Sequence, residues 1–263
     1  MQLDQYLQAA EEAARAGGRV LLGWAGKFDV RLKGRADLVT SADLDSQKTI
    51  RDLLLGRFPD HGFLGEEEGN RANRDGEYRW IVDPLDGTTN YVHGVPFYAV
   101  SIALERRGKP LVGVIYDPVR NHCYRAAAGM GAWLDDEPLR VSQTDSLDDA
   151  LVVTSFPPGV GRRDRQVEHF LRVLVRSQSV RRTGSAAMNL AYVAAGRFDA
   201  FWSNSLHPWD LAAGVLLVAE AGGRTTGIEG DRFEIASPEL LASNGTHLHE
   251  VLTALFSSCD GTE

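Results

Sequence analysis

The chain has 263 residues, 43% hydrophobic and 24% charged, with a formal charge of −8, the balance of an ordinary globular enzyme. That charge excludes a nucleic-acid backbone as the main partner, and the short basic pairs Arg162-Arg163 and Arg181-Arg182 read as solvated surface. Two distant cysteines, Cys123 and Cys259, support neither a disulfide framework nor a zinc site. With no signal peptide and no run near the ~18 apolar residues of a membrane span, a mature cytoplasmic chain without a membrane anchor is expected.

Leu3, Leu7, Ala10, Ala14, Gly17, Leu21 and Trp24 recur at alternating spacings of four and three, which predicts an opening helix whose small middle residues allow close packing. Phe28 to Leu32 reads as a strand. Ser41 or Asp43 then caps a second helix with the apolar face Leu44, Ile50, Leu53, Leu54 and Phe58, ended by Pro59. On local grounds alone Asp43 is a helix cap. Gly62-Phe63-Leu64 reads as a strand running into Glu66, Glu67 and Glu68. Three acids in a row are normally a solvated face, but at the carboxyl end of a strand side chains reach a shared site.

Trp80 to Asp83 reads as a buried strand that stops at a carboxylate, turns through Pro84 and Gly87, and restarts with the capping hydroxyls of Thr88 and Thr89. From Phe97 to Val141, alternating runs split by turns at 106–110, 117–121 and 135–138 predict an antiparallel meander. His93 is either a phosphate contact or a structural histidine. A polar, turn-rich stretch from Ser142 to Asp149 marks a boundary, giving halves of 1–145 and 146–263. The second half alternates: strand Leu151 to Ser155, helix Asp164 to Val175, strand Ser179 to Arg182, helix Gly184 to Ala195, and strand Ala200 to Trp202. Helix Trp209 to Ala221, closed by Gly222-Gly223, strand Leu240 to Ser243 and a terminal helix complete it. Strands with helices to their sides give an α+β fold rather than a doubly wound nucleotide fold.

Asp83 and Asp86 flank a proline-stiffened bend, so their carboxylates can converge, and they would repel unless a hard divalent cation lay between them. Gly87 permits close backbone approach, and the N–H groups of Gly87, Thr88 and Thr89 at a helix start form an anion-binding concavity. A cation site abutting an anion site suits a metal-bridged phosphate ester. Asp-Pro and Asp-Gly are also ordinary turn formers, so this stretch alone does not decide. Asp210, in the first turn of its helix, has a sufficient local explanation in the helix dipole.

Taken together, Asp83-Pro84-Leu85-Asp86-Gly87-Thr88-Thr89, the upstream Gly65-Glu66-Glu67, and Pro208-Trp209-Asp210-Leu211-Ala212-Ala213-Gly214 resemble the inositol monophosphatase family of magnesium-dependent, lithium-sensitive phosphatases. The resemblance runs from Lys33 to Gly223. It implies a layered α-β-α-β-α sandwich of the sugar phosphatase type, and a homodimer is the expectation that goes with it. It implies two Mg²⁺, one held by Glu66, Asp83 and the Leu85 carbonyl and one by Asp83, Asp86 and Asp210, with a third, weaker ion shared through Glu66. Asp43 and Thr88 would orient and deprotonate the attacking water, Glu67 would support Glu66, and Lys33 would stand on a loop near the metals. The substrate side would be Gly184, Ser185 and Ala186, together with position 203. There many relatives carry an acid and this chain has Ser203.

The reaction implied is Mg²⁺-dependent hydrolysis of a small phosphate monoester, first inositol 1-phosphate. Alternatives are histidinol phosphate, fructose 1,6-bisphosphate and adenosine 3′,5′-bisphosphate. A regulatory binding protein on the same fold is the rival from another class, and the filled ligand positions speak against it. No P-loop or kinase glycine loop supports phosphoryl transfer to another acceptor.

Overall fold

The computed structural model describes residues 2–34, 37–67, 77–157 and 159–258, with backbone only at 32–34, 37 and 38. The opening helix, α1 (Gln2–Trp24), buries Tyr6, Ala10, Ala13, Ala14, Gly17 and Leu21. Its small residues are needed because its neighbours come so close. A Cβ on Gly17 would lie 2.7 Å from Ile50 Cδ1, and one on Gly18 only 2.5 Å from the Tyr116 ring.

After the antiparallel hairpin β1 (Val30–Gly34) and β2 (Asp37–Thr40), the chain enters α2 (Ser41–Arg57). β2 was not legible as a strand. Two expectations for α2 are corrected. Its N-cap is Thr40, not Ser41 or Asp43, and the Thr40 hydroxyl accepts from the amides of Ala42 and Asp43. Nor does its buried face follow the apolar pattern throughout: Ile50, Leu54 and Phe58 face the core as expected, but Leu44 and Leu53 are exposed, and Ala42, Asp43, Ser46 and Gln47 point inward instead. The helix turns a polar stripe to the core because that stripe has partners there.

The first sheet holds seven strands in sequence order: β3 (Gly62–Gly65), β4 (Tyr78–Asp86), β5 (Ala99–Arg106), β6 (Lys109–Asp117), β7 (His122–Ala127), β8 (Gly131–Leu134) and β9 (Glu137–Pro138). The meander is antiparallel throughout except that β3 runs parallel to β4. Asn121 and Asp135 take positive φ at two of its turns, as small polar residues can. Between β4 and β5 lies the short helix α3 (Thr88–Val92).

The second sheet is mixed, in the order β11 (Ser179–Arg181), β10 (Leu151–Thr154), β12 (Ala200–Ser203), β14 (Leu240–Ser243), β13 (Arg224–Thr226). β10 is parallel to β11 and β12, whereas β14 is antiparallel to both its neighbours. Between the sheets lie α5 (Ala186–Ala194) and α6 (Pro208–Glu220), apolar nearly all round, as a helix buried on every side must be. Gly214 on α6 admits Leu190 of α5, where a Cβ would meet Leu190 Cδ1 at 2.4 Å, and Gly113 of β6 admits the Ala213 backbone of α6. On the outer face of the second sheet sit α4 (Arg165–Leu174) and α7 (His247–Ser257).

Helix pair, sheet, helix pair, sheet, helix pair: the molecule is the layered α-β-α-β-α sandwich, with one apolar cluster around each helix pair. The central cluster draws on both halves of the chain. A division at 145/146 is proposed on the ground that the Ser142–Asp149 segment links the two sheets. Among the described residues no helix is long and apolar enough to cross a membrane.

Candidate active site

The site begins with a fault in β4. Asp83 lies opposite Ser101 of β5 and Asp86 opposite Ala99, so three steps on one strand match two on the other: a one-residue bulge at Pro84-Leu85. In a regular strand residues three apart face opposite sides. The extra residue brings both carboxylates back to one side. The strand therefore continues through Asp86 instead of stopping at Asp83, and the proline is tolerated because it lies in the bulge. The bend is pinned locally, with the Leu85 amide donating to Asp83 Oδ1 at 3.0 Å and the Ser46 hydroxyl donating to the Pro84 carbonyl at 3.1 Å.

Asp210 arrives from the other half at the start of α6, where one of its oxygens accepts the His207 amide at 2.7 Å. Carboxylate oxygens of Asp83, Asp86 and Asp210 lie within 4.8 Å of one another. Burial, and then the charges of Glu66, Asp86 and Asp210, pushes Asp83 well above the usual carboxylate range. Burial and the Asp86 charge do the same to Asp210. Burial also raises Asp86, but the Ser185 hydroxyl (2.5 Å) and the amides of Ala187 (2.6 Å) and Ala186 (3.2 Å) hold it down. Three acids crowded at low dielectric are costly unless a cation sits among them, so the donor set fits a hard divalent ion.

Glu66, half-buried at the end of β3, stands beside this trio, and its charge is felt by both Asp83 and Asp210. Its amide donates to the Val82 carbonyl, which fixes the β3 end against β4. The amide of Glu67 donates to Gln47 Oε1 at 3.0 Å. Gln47 presses so close to Gly65 that a Cβ there would lie 2.3 Å from its Oε1. The side chain of Lys33, and Glu68, lie outside the described residues.

Asp43 is fully buried, and its two oxygens face Thr40 and Thr88. Its Oδ2 accepts from the Thr40 amide (2.9 Å) and hydroxyl (2.5 Å), closing a capping box, and its Oδ1 faces the Thr88 hydroxyl at 3.3 Å. That hydroxyl is also 3.1 Å from the Leu85 carbonyl, so its one proton is shared between a carboxylate and a carbonyl of the bulge. Gly87 caps α3 with φ +98°, a left-handed conformation suited to glycine, and a Cβ would meet the Phe97 and Gly184 carbonyls at 3.1 and 3.3 Å.

A cleft of about 570 Å³ opens from Asp86 and Asp210 along Thr89, Gly184 and Ala186. Ser185 does not line it. Its hydroxyl donates to Asp86 and accepts from the Met188 amide, so it orients an acid and caps α5. Ser203 departs from expectation as well: it is 1% exposed, and its hydroxyl donates to the Ser155 carbonyl at 3.4 Å. The end of β12 turns it into the interior, and Ser205, two residues on, lines the cleft instead. Arg182, read from sequence as solvated surface, also lines it, while exposed His93 does not.

Sequence reasoning missed Ser46 and Gln47, which hold the bulge and the Glu66-Glu67 turn. The signal available was helical spacing: Asp43, Ser46, Gln47, Ile50 and Leu54 share one face.

The sequence model of the inositol monophosphatase family matches residues 2–260. An inositol-1-monophosphatase of Rhizobium meliloti is 42% identical over 243 residues, covering 92% of this chain and 91% of its own. A Nus factor SuhB of Pseudomonas aeruginosa is 39% identical, covering 96% of each chain. Among solved structures, the inositol monophosphatase of an Anabaena (Nostoc) species superposes with a TM-score of 0.85 at 39% identity, over 98% of this chain and 97% of that one.

Proposed function

We propose that this chain, which belongs to the inositol monophosphatase family, hydrolyses small phosphate monoesters with Mg²⁺ as its metal, inositol 1-phosphate foremost. It is a phosphoric monoester hydrolase of a metal-dependent family. The observation that carries the reading is the convergence of Asp83, Asp86 and Asp210 beside the Asp43–Thr88 pair.

Asp83, Glu66 and the Leu85 carbonyl would hold one ion and Asp83, Asp86 and Asp210 another, with a third, weaker ion shared through Glu66. When bound, such ions lower the pKa of a water and stabilise the leaving oxygen. The protein's own groups do the rest. Thr88 Oγ1, donating to Asp43 Oδ1, can accept a proton from water, and Asp43, buried and anchored by Thr40, takes the proton Thr88 passes on. The α3 start, turned by Gly87, presents amides toward the phosphate. Thr89, Gly184 and Ala186 line the leaving-group side.

A homodimer in the cytoplasm and inhibition by Li⁺ belong to the same reading. The test is phosphate release, with and without Mg²⁺, from inositol 1-phosphate, histidinol phosphate, fructose 1,6-bisphosphate, adenosine 3′,5′-bisphosphate and glycerol 2-phosphate. No Mg²⁺-dependent release from any of them would refute it. The second reading, a partner of transcription, has the relatives named Nus factor SuhB in its favour. The two are not exclusive, and release from any substrate decides whether catalysis is retained.

A further inference from the structure

Of the residues that line the cleft, Asp86 and Asp210 are the acids, and Arg182 is the one cation among the described residues. The acids belong to the metal end. The leaving group therefore meets no carboxylate there, since the position where relatives carry one is Ser203, buried under the floor.

Arg182 is held, yet its hydrogen-bonding edge is not engaged. Its guanidinium lies 5.7 Å over the Phe156 ring, which lines the same cleft, and it has no hydrogen bond or ion pair to any described residue. The neighbouring Arg181, by contrast, bonds Ser179 and the Val180 carbonyl away from the cleft. The backbone that carries Arg182 is pinned to the phosphate end. Asn90 of α3 donates to the Thr183 carbonyl at 2.8 Å and to the Phe97 carbonyl at 2.7 Å, and it packs against Gly184 so closely that a Cβ would touch it at 3.0 Å. Arg182 is two residues before Gly184, so at most about 7 Å of chain separates it from that clamp. The cleft volume is within the range of about 300–1,000 Å³ that small-molecule sites occupy, room for more than a lone phosphate.

Resting on the phosphatase reading, we propose that Arg182 is a specificity residue that binds a second phosphate on the leaving group, so the enzyme accepts sugar or nucleoside bisphosphates alongside inositol 1-phosphate and owes its efficiency on them to this side chain. A guanidinium with an unengaged edge takes a phosphate bidentately, and Phe156 with Val160 and Leu206 gives the intervening ring an apolar wall.

The experiment compares kcat/KM for fructose 1,6-bisphosphate and adenosine 3′,5′-bisphosphate, each against inositol 1-phosphate, in wild type, Arg182→Gln and Arg182→Lys. Arg182→Gln should lower the bisphosphate-to-inositol ratio about tenfold or more, chiefly through KM, with Arg182→Lys between. The bisphosphate KM should also rise more steeply with salt in wild type than in Arg182→Gln. The two bisphosphates show whether the wall takes a sugar or a base. Ratios within twofold of wild type for both would overturn the proposal. Calorimetric binding of fructose 1,6-bisphosphate and of inositol 1-phosphate in an Asp43→Asn background with Mg²⁺ reads the same preference without turnover. Absence of all phosphate release would count against the phosphatase reading, and the binding ratio, unchanged or reduced by Arg182→Gln, would still decide Arg182.

Discussion

Asp43 has a structural duty and a proposed catalytic one on different oxygens, and two substitutions separate them. Asp43→Asn keeps the shape: its oxygen can stay on the Thr40 amide and hydroxyl while its NH₂ turns toward Thr88, whose proton then goes to the Leu85 carbonyl. Toward Thr88 what is lost is one long contact of 3.3 Å, which costs about 1 kcal/mol or less. Asp43→Ala also removes the acceptor from both Thr40 donors, and Thr40 is 1% exposed. A lost cap of about 1 kcal/mol plus one or two unsatisfied buried donors gives about 2–5 kcal/mol, or a Tm lower by roughly 5–15 °C. If Asp43 is the terminal proton acceptor, both variants lose activity together, with kcat down by about 10²-fold or more and KM little changed. Calorimetric unfolding and phosphate release on the same preparations make the comparison. An Asp43→Asn protein with kcat within about threefold of wild type would reduce Asp43 to its capping-box bonds with Thr40.

Asp86→Asn and Asp210→Asn should each lower kcat by about two orders of magnitude, with folding retained, and chelation of divalent ions should lower the wild-type Tm because the repulsion among the trio is then uncompensated; ordinary activity in either variant refutes the metal assignment. Thr88→Ser should keep much of the activity that Thr88→Ala loses in kcat, and equal losses would assign Thr88 to packing. Gln47→Leu should raise the Mg²⁺ concentration needed for half-activation and lower Tm by a few degrees, because the Glu67 amide loses its acceptor; an unchanged Mg²⁺ requirement would separate Gln47 from the site. Burial holds His169 and His249 down to about 4, so the unfolded chain takes up their protons first. The stability each lends is complete above about pH 6.5 and is lost as pH falls from there toward 4, by about 2 kcal/mol per histidine at pH 5. His169→Phe should flatten that slope in urea unfolding; a slope unchanged by the variant refutes the assignment.

Periodicity and turn residues gave the order of nearly every helix and strand, and the long motifs named the acids. What stayed hidden depended on partners distant in sequence. A hydrophobicity pattern puts Leu44 and Leu53 inside, yet the Pro84 carbonyl and the Glu67 amide pull Ser46 and Gln47 there instead. Ser203 was assigned to the substrate by counting from Asp210, but in a strand orientation alternates with each residue, and at 203 the side chain faces inward. Arg182 looked like half of a surface charge pair because nothing local signals Phe156, more than twenty positions upstream, beneath it.

For Asp43 and Asp210 the local explanation and the proposed functional one are compatible, because the same hydrogen bonds serve both. Each is the third residue of a helix, and each gives an oxygen to the backbone amide at the helix start, Thr40 in one case and His207 in the other. A carboxylate tied this way cannot rotate freely, so the helix that it caps also aims it. Asp86 is aimed by the converse arrangement, an acid from the bulge held on the first amides of α5. Three helix starts and one strand bulge thus orient the acids before any ligand arrives, the preorganisation that electrostatic catalysis requires. Moving any of these helices by a fraction of its own turn would scatter the cluster. The five-layer core, with glycines at Gly17, Gly113 and Gly214 admitting close neighbours, is therefore as much a part of the site as the carboxylates.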